Sequence, residues 1–192
     1  MYTLVFATNN QHKVDEIQSL VGNDFKIIPL KEAGINIDIP EPYDTLVENA
    51  ATKARTIHQL TQQNCFSEDT GLEIDFLNGS PGVKSARYAG EGRDFQANID
   101  KVLLELNNTS NRTAQFRTVI CLIWENKEYY FEGKCKGNIT NHMHGEKGFG
   151  YDPIFIPTGS TKSFAQMTMD EKNSFSHRQK AVTQLFSFLK KL

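Results

Sequence analysis

The sequence predicts an α/β fold with a mixed β-sheet. Three observations lead to this fold class: a strand, helix and strand pattern at the start, a capped amphipathic helix next, and two long strands joined by a tight turn further along. No internal repeat, low-complexity tract or linker interrupts the 192 residues, so we expect one domain over residues 1–192.

The first element is a β-α-β start. Two short apolar runs, TLVFA (residues 3–7) and FKIIPL (residues 25–30), flank HKVDEIQSLVG. Within that stretch Val14, Ile17 and Val21 recur at helical spacing, and Gly22 is a typical stop signal for the helix.

The second helix is predicted from its start signal. Thr45 and Glu48 have the spacing of a capping box, and an apolar face follows over about four turns. This face consists of Val47, Ala50, Ala54, Ile57 and Leu60. Residues 76–92 are dense in turn-forming residues and predict either a long loop or a hairpin with a loop, after which an amphipathic helix is marked by Phe95, Ile99, Val102, Leu103 and Leu106.

The later elements are a hairpin and a final helix. Residues 114–125 and 127–137 have the composition of two long strands, and Asn126-Lys127 predicts a tight turn that joins them as an antiparallel hairpin. A serine-rich entry at residues 174–176 leads into a helix with Ala181, Val182, Leu185, Phe186 and Leu189 on one face.

Composition excludes several classes of function. The net charge is −2 and the 21 basic residues are scattered, so a nucleic-acid-binding surface is not expected. No signal peptide and no run of eighteen apolar residues is present, which favours a cytoplasmic protein without a membrane partner. The three cysteines lack metal-binding spacing and are expected to be reduced thiols.

The turn after the first strand, TNNQHK at residues 8–13, permits two interpretations. Asn and Thr side chains can wrap phosphate oxygens at a helix N-terminus, with Lys13 adding a positive charge. Alternatively, the turn only starts a helix, with Asn9 or Asn10 as its N-cap.

An acidic cluster is the second candidate for chemistry. Glu41 lies between two prolines, and Glu68 and Asp69 follow an apolar stretch, which predicts carboxylates at a strand end. Phosphates and carboxylates repel each other unless a metal lies between them, so this cluster and the lysine-bearing turn together suggest Mg²⁺ and a nucleotide. A solvated acidic turn is the alternative.

Two further clusters are polar beyond the needs of packing. In residues 148–153, GFGYDP, glycines beside Phe149 would let a flat ligand approach the backbone and stack on the ring, although a rigid surface turn has the same pattern. Lys172, His177 and Arg178 place basic groups near a helix N-terminus, where the dipole disfavours them. An electron-rich ligand group would compensate, and so would plain solvent exposure.

Taken in order, these clusters resemble the inosine triphosphate pyrophosphatase family, which hydrolyses dITP, ITP and XTP. The motifs that carry the resemblance span nearly the whole chain: TNNQHK, ENAATKA, SEDTGLEID, NGSPGVKSARYAG, GFGYDPIF and EKNSFSHRQKA. The resemblance implies a single domain with a central twisted mixed sheet flanked by helices and an active-site cleft between two lobes. It also implies Mg²⁺ as cofactor and a homodimer.

Site roles also follow from the resemblance. Asp69 would be the proton acceptor and would bind Mg²⁺ together with Glu41, for which Glu48 and Glu68 are the alternatives. The substrate-binding residues it implies are Thr8, Asn9, Asn10, Gln11, His12, Lys13, Lys53, Thr70, Phe149, Gly150, Tyr151, Asp152, Lys172, His177 and Arg178. Within these, the turn and Lys53 would hold the triphosphate, Phe149 to Asp152 would form the base pocket, and the last three would contact the purine edge.

This chain departs from the family pattern in three places. It has Glu68-Asp69-Thr70 where many members have Asp-Asp-Ser, Gln11-His12 where many have a glycine, and Tyr151 where some have Trp. Each difference bears on efficiency and base preference more than on reaction class. Two other functions stay open: pyrophosphatase activity on methylated or pyrimidine triphosphates, and nucleotide binding without catalysis.

Overall fold

Seven strands and five helices make up the regular structure of the residues described in the computed structural model, 2–21 and 25–191. The strands are β1 (Tyr2–Phe6), β2 (Phe25–Pro29), β3 (Cys65–Ile74), β4 (Pro81–Gly82), β5 (Thr113–Trp124), β6 (Lys127–Ile139) and β7 (Phe155–Pro157). The helices are α1 (Gln11–Leu20), α2 (Leu46–Thr61), α3 (Phe95–Glu105), α4 (Met169–Phe175) and α5 (His177–Leu189). None of these helices is long and apolar enough to cross a membrane.

The strands form one mixed sheet. Their order is β2-β1-β3-β5-β6-β7, and β4 pairs with β3. β1 runs parallel to β2 and to β3, whereas β4 runs antiparallel to β3 and β7 runs antiparallel to β6. The predicted α/β class with a mixed sheet is therefore confirmed.

The chain divides into two compact units, each with its own hydrophobic core. Unit 1 comprises residues 1–69, 118–133 and 178–192, and unit 2 comprises residues 70–117 and 134–177. The single domain over residues 1–192 and the cleft between two lobes stay predictions.

Unit 1 begins with the predicted β-α-β arrangement. β1 pairs in parallel with β2 from Tyr2 opposite Phe25 onwards, and α1 buries Val14 and Ile17 against them. The same core includes the predicted apolar face of α5, in which Ala181, Val182, Leu185, Phe186 and Leu189 are all buried. Gly22, the predicted stop signal of α1, lies outside the described residues.

The start of α2 is as predicted, but part of its predicted apolar face is wrong. The Thr45 side chain accepts a hydrogen bond from the Glu48 N–H and thereby caps the helix. Val47 and Leu60 are 38% and 61% exposed. The buried side of α2 is set instead by Leu46, Ala50, Ala54 and Ile57, a stripe with spacings of four and three residues that leaves Val47 and Leu60 beside it.

The hairpin of β5 and β6 is confirmed with its turn one residue earlier than predicted. Glu125 and Asn126 have φ values of 49° and 61°, so both central residues of the two-residue turn are left-handed. This is the conformation that matches the twist of paired strands, and asparagine adopts it readily. The Asn64 side chain accepts a hydrogen bond from the Glu125 N–H and supports the turn.

Unit 2 contains the segment predicted to be a long loop or a hairpin with a loop, and the helix that follows it. Within residues 76–92 the only strand is the short β4, which pairs antiparallel with β3, so the segment is a hairpin with a loop. In α3 the buried side includes Ile99 and Val102, whereas Phe95 is 40% exposed, contrary to its predicted place on the apolar face. Ile99 and Val102 pack in a core that also contains Leu72, Ile74, Phe116, Phe155 and Phe164.

The three cysteines form no disulfide and are buried, so we expect them to resist thiol reagents. Burial raises the pKa of the Cys65 and Cys121 thiols to about 12, and Cys135 is also buried, so the reactive thiolate is scarce at neutral pH. The folded protein should react with Ellman's reagent at fewer than one thiol per chain. Protein unfolded in guanidinium is the control and should react at all three, and rapid reaction of the folded protein would contradict this burial.

Candidate active site

Hydrogen bonds within unit 1 hold three polar residues of the turn after β1. Asn10 is the N-cap of α1, and its side chain accepts from the Lys13 N–H at 3.4 Å. The Thr8 hydroxyl accepts from the Asn10 N–H at 3.1 Å, and the Asn9 amide donates to the Ile37 carbonyl at 3.1 Å. Asn10 therefore starts the helix, as one of the two interpretations predicted. The positive end of the α1 dipole lies at this turn.

The remaining turn residues lie at the surface or in an ion pair. Gln11 and His12 are exposed, and Gln11 donates to Asp15 one turn later on α1. The Lys13 ammonium lies 3.1 Å from Oε1 of Glu68. A phosphate that bound at the turn would therefore meet a cation that a buried carboxylate already orients.

Glu68 and Asp69 lie inside a strand and not at its end, contrary to prediction. β3 continues from Cys65 to Ile74 through Glu68, Asp69 and Thr70. The strand continues because Leu72 and Ile74 enter the unit 2 core and because β4 supplies an antiparallel partner from Leu72 onwards. Carboxylates in a strand interior require compensating charges.

Lys53 compensates two of these carboxylates. Its ammonium donates to Oε1 of Glu41 at 2.5 Å and to Oδ1 of Asp69 at 3.1 Å. Burial alone would lower the pKa of Lys53, but attraction by Asp69 and Glu41 outweighs it and raises the pKa. Burial is also the main reason that the pKa of Asp69 lies above its ordinary value, which makes this carboxylate a stronger base.

Glu68 is held by other cations. Arg178 binds it through two parallel hydrogen bonds of 2.8 and 2.9 Å, from Nε and Nη2, and also donates through Nη1 to Glu16. Burial would raise the pKa of Glu68, but Arg178 and Lys13 reverse this effect and lower it well below its usual range. Sequence reasoning did not identify Glu16, because it lies beside the apolar stripe of α1 without any motif.

These contacts distinguish the three candidates for the second metal ligand. Glu48 is exposed and accepts a hydrogen bond from the Thr45 hydroxyl, and Glu68 is bound by Arg178 and Lys13. Glu41 forms its ion pair with the same lysine as Asp69. The identity of the second metal ligand stays a prediction.

A divalent cation fits this part of unit 1. Oδ2 of Asp69 is buried and has no hydrogen-bond partner among the described residues. Two groups of ion pairs in unit 1 contain four carboxylates and three cations: Glu41 and Asp69 with Lys53, and Glu16 and Glu68 with Lys13 and Arg178. Hard oxygen donors of this kind suit Mg²⁺. Within residues 2–21 and 25–191, no group of three or more histidine, cysteine or carboxylate side chains forms a metal site by itself.

Unit 2 contains the cluster predicted to bind a base. Oδ2 of Asp152 accepts from the Phe149 N–H at 2.9 Å and lies 2.6 Å from the Lys172 ammonium. Gly148 has φ +77°, and a Cβ there would lie 2.1 Å from the same Asp152 oxygen, so this position requires glycine. The Lys172 ammonium is 5.3 Å from the centre of the Phe149 ring, a cation–π distance.

Four other predicted substrate-binding residues also lie in unit 2. The Tyr151 hydroxyl donates to the Ser85 carbonyl at 2.8 Å, and the ring is buried. The His177 ring stacks on Phe116 with centres 4.7 Å apart, an aromatic contact that the sequence did not predict. Gly150 is left-handed with φ +60°, and Thr70 is half-buried.

The last basic cluster is split between two helices, contrary to the single helix mouth that the sequence predicts. Lys172 lies in α4, which Thr168 and Glu171 cap reciprocally, whereas His177 and Arg178 begin α5. The compensation that these cations need is provided by protein carboxylates, Asp152 for Lys172 and Glu68 with Glu16 for Arg178. The contacts of these residues with a substrate stay predictions.

Comparison with known proteins agrees with the family that the motifs suggest. The sequence profile of the Ham1 family matches residues 4–188. A relative from Flavobacterium psychrophilum, named dITP/XTP pyrophosphatase, is 50% identical over 187 residues, which span 97% of this chain and 98% of the relative. A relative of the same name from Porphyromonas gingivalis is 48% identical over 190 residues, 98% of each chain.

Solved structures show the same fold. A HAM1 protein from Coxiella burnetii superposes with a TM-score of 0.91 at 37% identity over the whole of both chains. The Ham1 protein of Staphylococcus aureus gives 0.89 at 37% identity over 98% of each chain.

Proposed function

The chain belongs to the Ham1 family, and we propose that it hydrolyses the non-canonical purine nucleoside triphosphates dITP, ITP and XTP to a nucleoside monophosphate and pyrophosphate. The observation that carries this proposal is the arrangement of Glu41, Lys53 and Asp69, with one buried Asp69 oxygen that has no hydrogen-bond partner in the described part of the chain. We further propose Mg²⁺ as the cofactor, a homodimer as the assembly and the cytoplasm as the location.

The proposed reaction is attack of water on the α-phosphorus. Mg²⁺, held by Glu41 and Asp69, would neutralise phosphate charge. Asp69 would accept the proton of the attacking water, a role that its raised pKa favours. Lys13 and Lys53 would stabilise the negative charge that develops on the departing pyrophosphate. The bond from the α-phosphorus to the bridging oxygen breaks as the bond to water oxygen forms, so no covalent intermediate is required.

In this proposal unit 2 binds the base. Phe149 offers an aromatic face beside the Lys172 ammonium, and the ion pair of Asp152 and Lys172 fixes both side chains. The residues from Phe149 to Asp152 would form the pocket, and Lys172, His177 and Arg178 would contact the edge of the purine. A site built on hydrogen bonds rejects a base that lacks the matching group.

A substrate panel tests the proposed function. Pyrophosphate release is measured for ITP, dITP, XTP, ATP, GTP and pyrimidine triphosphates with Mg²⁺, and again with EDTA. We expect ITP, dITP and XTP to be strongly preferred and EDTA to abolish release. Equal release from ATP, or binding of ITP without release of pyrophosphate, would contradict the proposal.

Lys13→Ala tests whether the first turn binds phosphate. We expect a higher KM and a lower kcat, with kcat/KM reduced about 10- to 100-fold, because a hydrogen bond to a charged group contributes about 1.5–3 kcal/mol. Steady-state kinetics with ITP measures both constants. The control is Lys26→Ala, an exposed lysine of β2 whose surface ion pair with Glu32 spans 3.7 Å. If Lys13→Ala changes only thermal stability, the turn is structural.

A further inference from the structure

Asn49 is a buried amide on α2 that contacts one loop residue twice. It is 1% exposed. Its Oδ1 accepts from the Tyr43 N–H at 3.0 Å, and its Nδ2 donates to the Tyr43 carbonyl at 2.9 Å. A side-chain amide carries an acceptor and a donor side by side, which suits the two groups of one residue's backbone. Two bonds fix both the position and the orientation of the Tyr43 backbone.

Tyr43 belongs to the segment that carries Glu41. Residues 36–45 contain no helix or strand, so side-chain contacts take the place of ladder hydrogen bonds in holding the segment. Lys53 lies four residues after Asn49 on the same helix face and binds the Glu41 carboxylate. α2 therefore holds this segment at two points, the backbone of Tyr43 and the side chain of Glu41.

We propose that Asn49 is a positioning residue that sets the place of Glu41 relative to Asp69. Both carboxylates bind the Lys53 ammonium, so a shift of the loop backbone changes how far Glu41 reaches towards Asp69. Asn49 would thereby tune the affinity of the pair for a divalent cation without touching the cation. This inference rests on the proposed function, because that proposal assigns Glu41 its metal role.

The test is Mn²⁺ binding by Asn49→Asp. The aspartate keeps the size and the acceptor but replaces the donor with an oxygen that faces the Tyr43 carbonyl. Mn²⁺ prefers the same oxygen ligands as Mg²⁺ and broadens nearby amide resonances in ¹H–¹⁵N spectra of the substrate-free protein. We expect the Mn²⁺ concentration for half-maximal broadening around Asp69 to rise at least about tenfold, since coupling through one contact is commonly of that order.

A matched control exists in unit 2. Asn98 is 2% exposed, lies on α3, and likewise accepts from the Ala89 N–H and donates to the Ala86 carbonyl. Asn98→Asp should lower the melting temperature as Asn49→Asp does but leave Mn²⁺ affinity within about twofold of wild type. Equal effects of the two variants on Mn²⁺ affinity would overturn the inference. Asn49→Gln, which keeps both groups one methylene further out, provides the same comparison if Asn49→Asp does not fold.

A double-mutant cycle shows whether Asn49 acts through Glu41. Glu41→Gln should weaken Mn²⁺ binding, and adding Asn49→Asp to it should weaken binding no further. Additive losses would overturn the positioning role while leaving the metal role of Glu41 intact. Unchanged Mn²⁺ binding in Glu41→Gln, or no local broadening in the wild type, would overturn the proposed metal site and this inference with it.

Discussion

Asp69→Asn is expected to lower kcat for ITP at least about a hundredfold, the lower end of the effect of removing a general base. Asparagine keeps the size of the side chain but cannot accept a proton from water, and it removes one negative charge from the proposed metal site. Glu41 still pairs with Lys53 in the variant, so the fold should persist. Steady-state release of pyrophosphate measures the change, and circular dichroism checks the fold.

The control for this variant is Glu32→Gln, at an exposed glutamate of the same unit whose surface ion pair with Lys26 spans 3.7 Å. It loses the same charge at a position outside the site, so its kcat should stay within about twofold of wild type, as is usual for surface substitutions. Asp69→Asn turning over ITP at nearly the wild-type rate would remove Asp69 from the proposed role. An equal loss of kcat in both variants would show that the effect comes from the change in net charge.

Local patterns in the sequence were sufficient to predict much of the fold. The start of α2 at Thr45 and the buried face of α5 depend on residues a few positions apart, and both are confirmed. The boundaries of β3 were not predictable in this way. A run of polar residues such as Glu68-Asp69-Thr70 usually ends a strand. Here the strand β3 continues past these residues, because its second half pairs with β4 and packs in the unit 2 core.

The partners of the predicted site residues could not be predicted, because they are distant in the sequence. Arg178 meets Glu68 across 110 residues and Glu16 across 162, and no local pattern encodes such pairs. The split of the last basic cluster into α4 and α5 was also missed, because Thr168 and Glu171 form a capping box inside a stretch that was treated as the mouth of one helix. The sequence therefore predicted which polar and charged side chains have a role beyond packing, but not which of them bind each other.

Arg178→Ala is expected to destabilise the protein by about 3–5 kcal/mol, the usual effect of removing one partner from a buried ion pair. The guanidinium is 2% exposed and binds Glu68 and Glu16, both of which are also buried. For a chain of this length that loss corresponds to a melting temperature lower by roughly 6–20 °C. Thermal unfolding followed by circular dichroism measures it. Arg178→Lys keeps the charge without the two parallel hydrogen bonds and should lose less.

The pH dependence identifies Glu68 as the cause of this loss. The pKa of Glu68 is lowered in the folded protein, so its ion pairs stabilise the fold above the unfolded pKa of about 4.3 and stop doing so as the pH falls through the folded value. Without Arg178, the folded pKa of Glu68 is higher than in the wild type, because burial raises it and only Lys13 is left to lower it. The stability gap between wild type and Arg178→Ala should be largest at neutral pH and should narrow as the pH falls through this higher folded pKa of Glu68 in the variant. If the stability difference between wild type and Arg178→Ala does not depend on pH, the loss of stability comes from packing and not from the charge of Glu68.

The same variant tests whether Arg178 also contacts the base. Arginine has only donors, so it matches the 6-oxo group of hypoxanthine or xanthine and opposes the 6-amino group of adenine. We therefore expect ATP to be a poor substrate for the wild type and Arg178→Ala to lower kcat/KM for ITP far more than for ATP. Guanine also has a 6-oxo group, so discrimination against GTP must depend on its 2-amino group and should survive the substitution. Both substrates are measured below the melting temperature of the variant, and an unchanged ratio of ITP to ATP would leave Arg178 with the structural role alone.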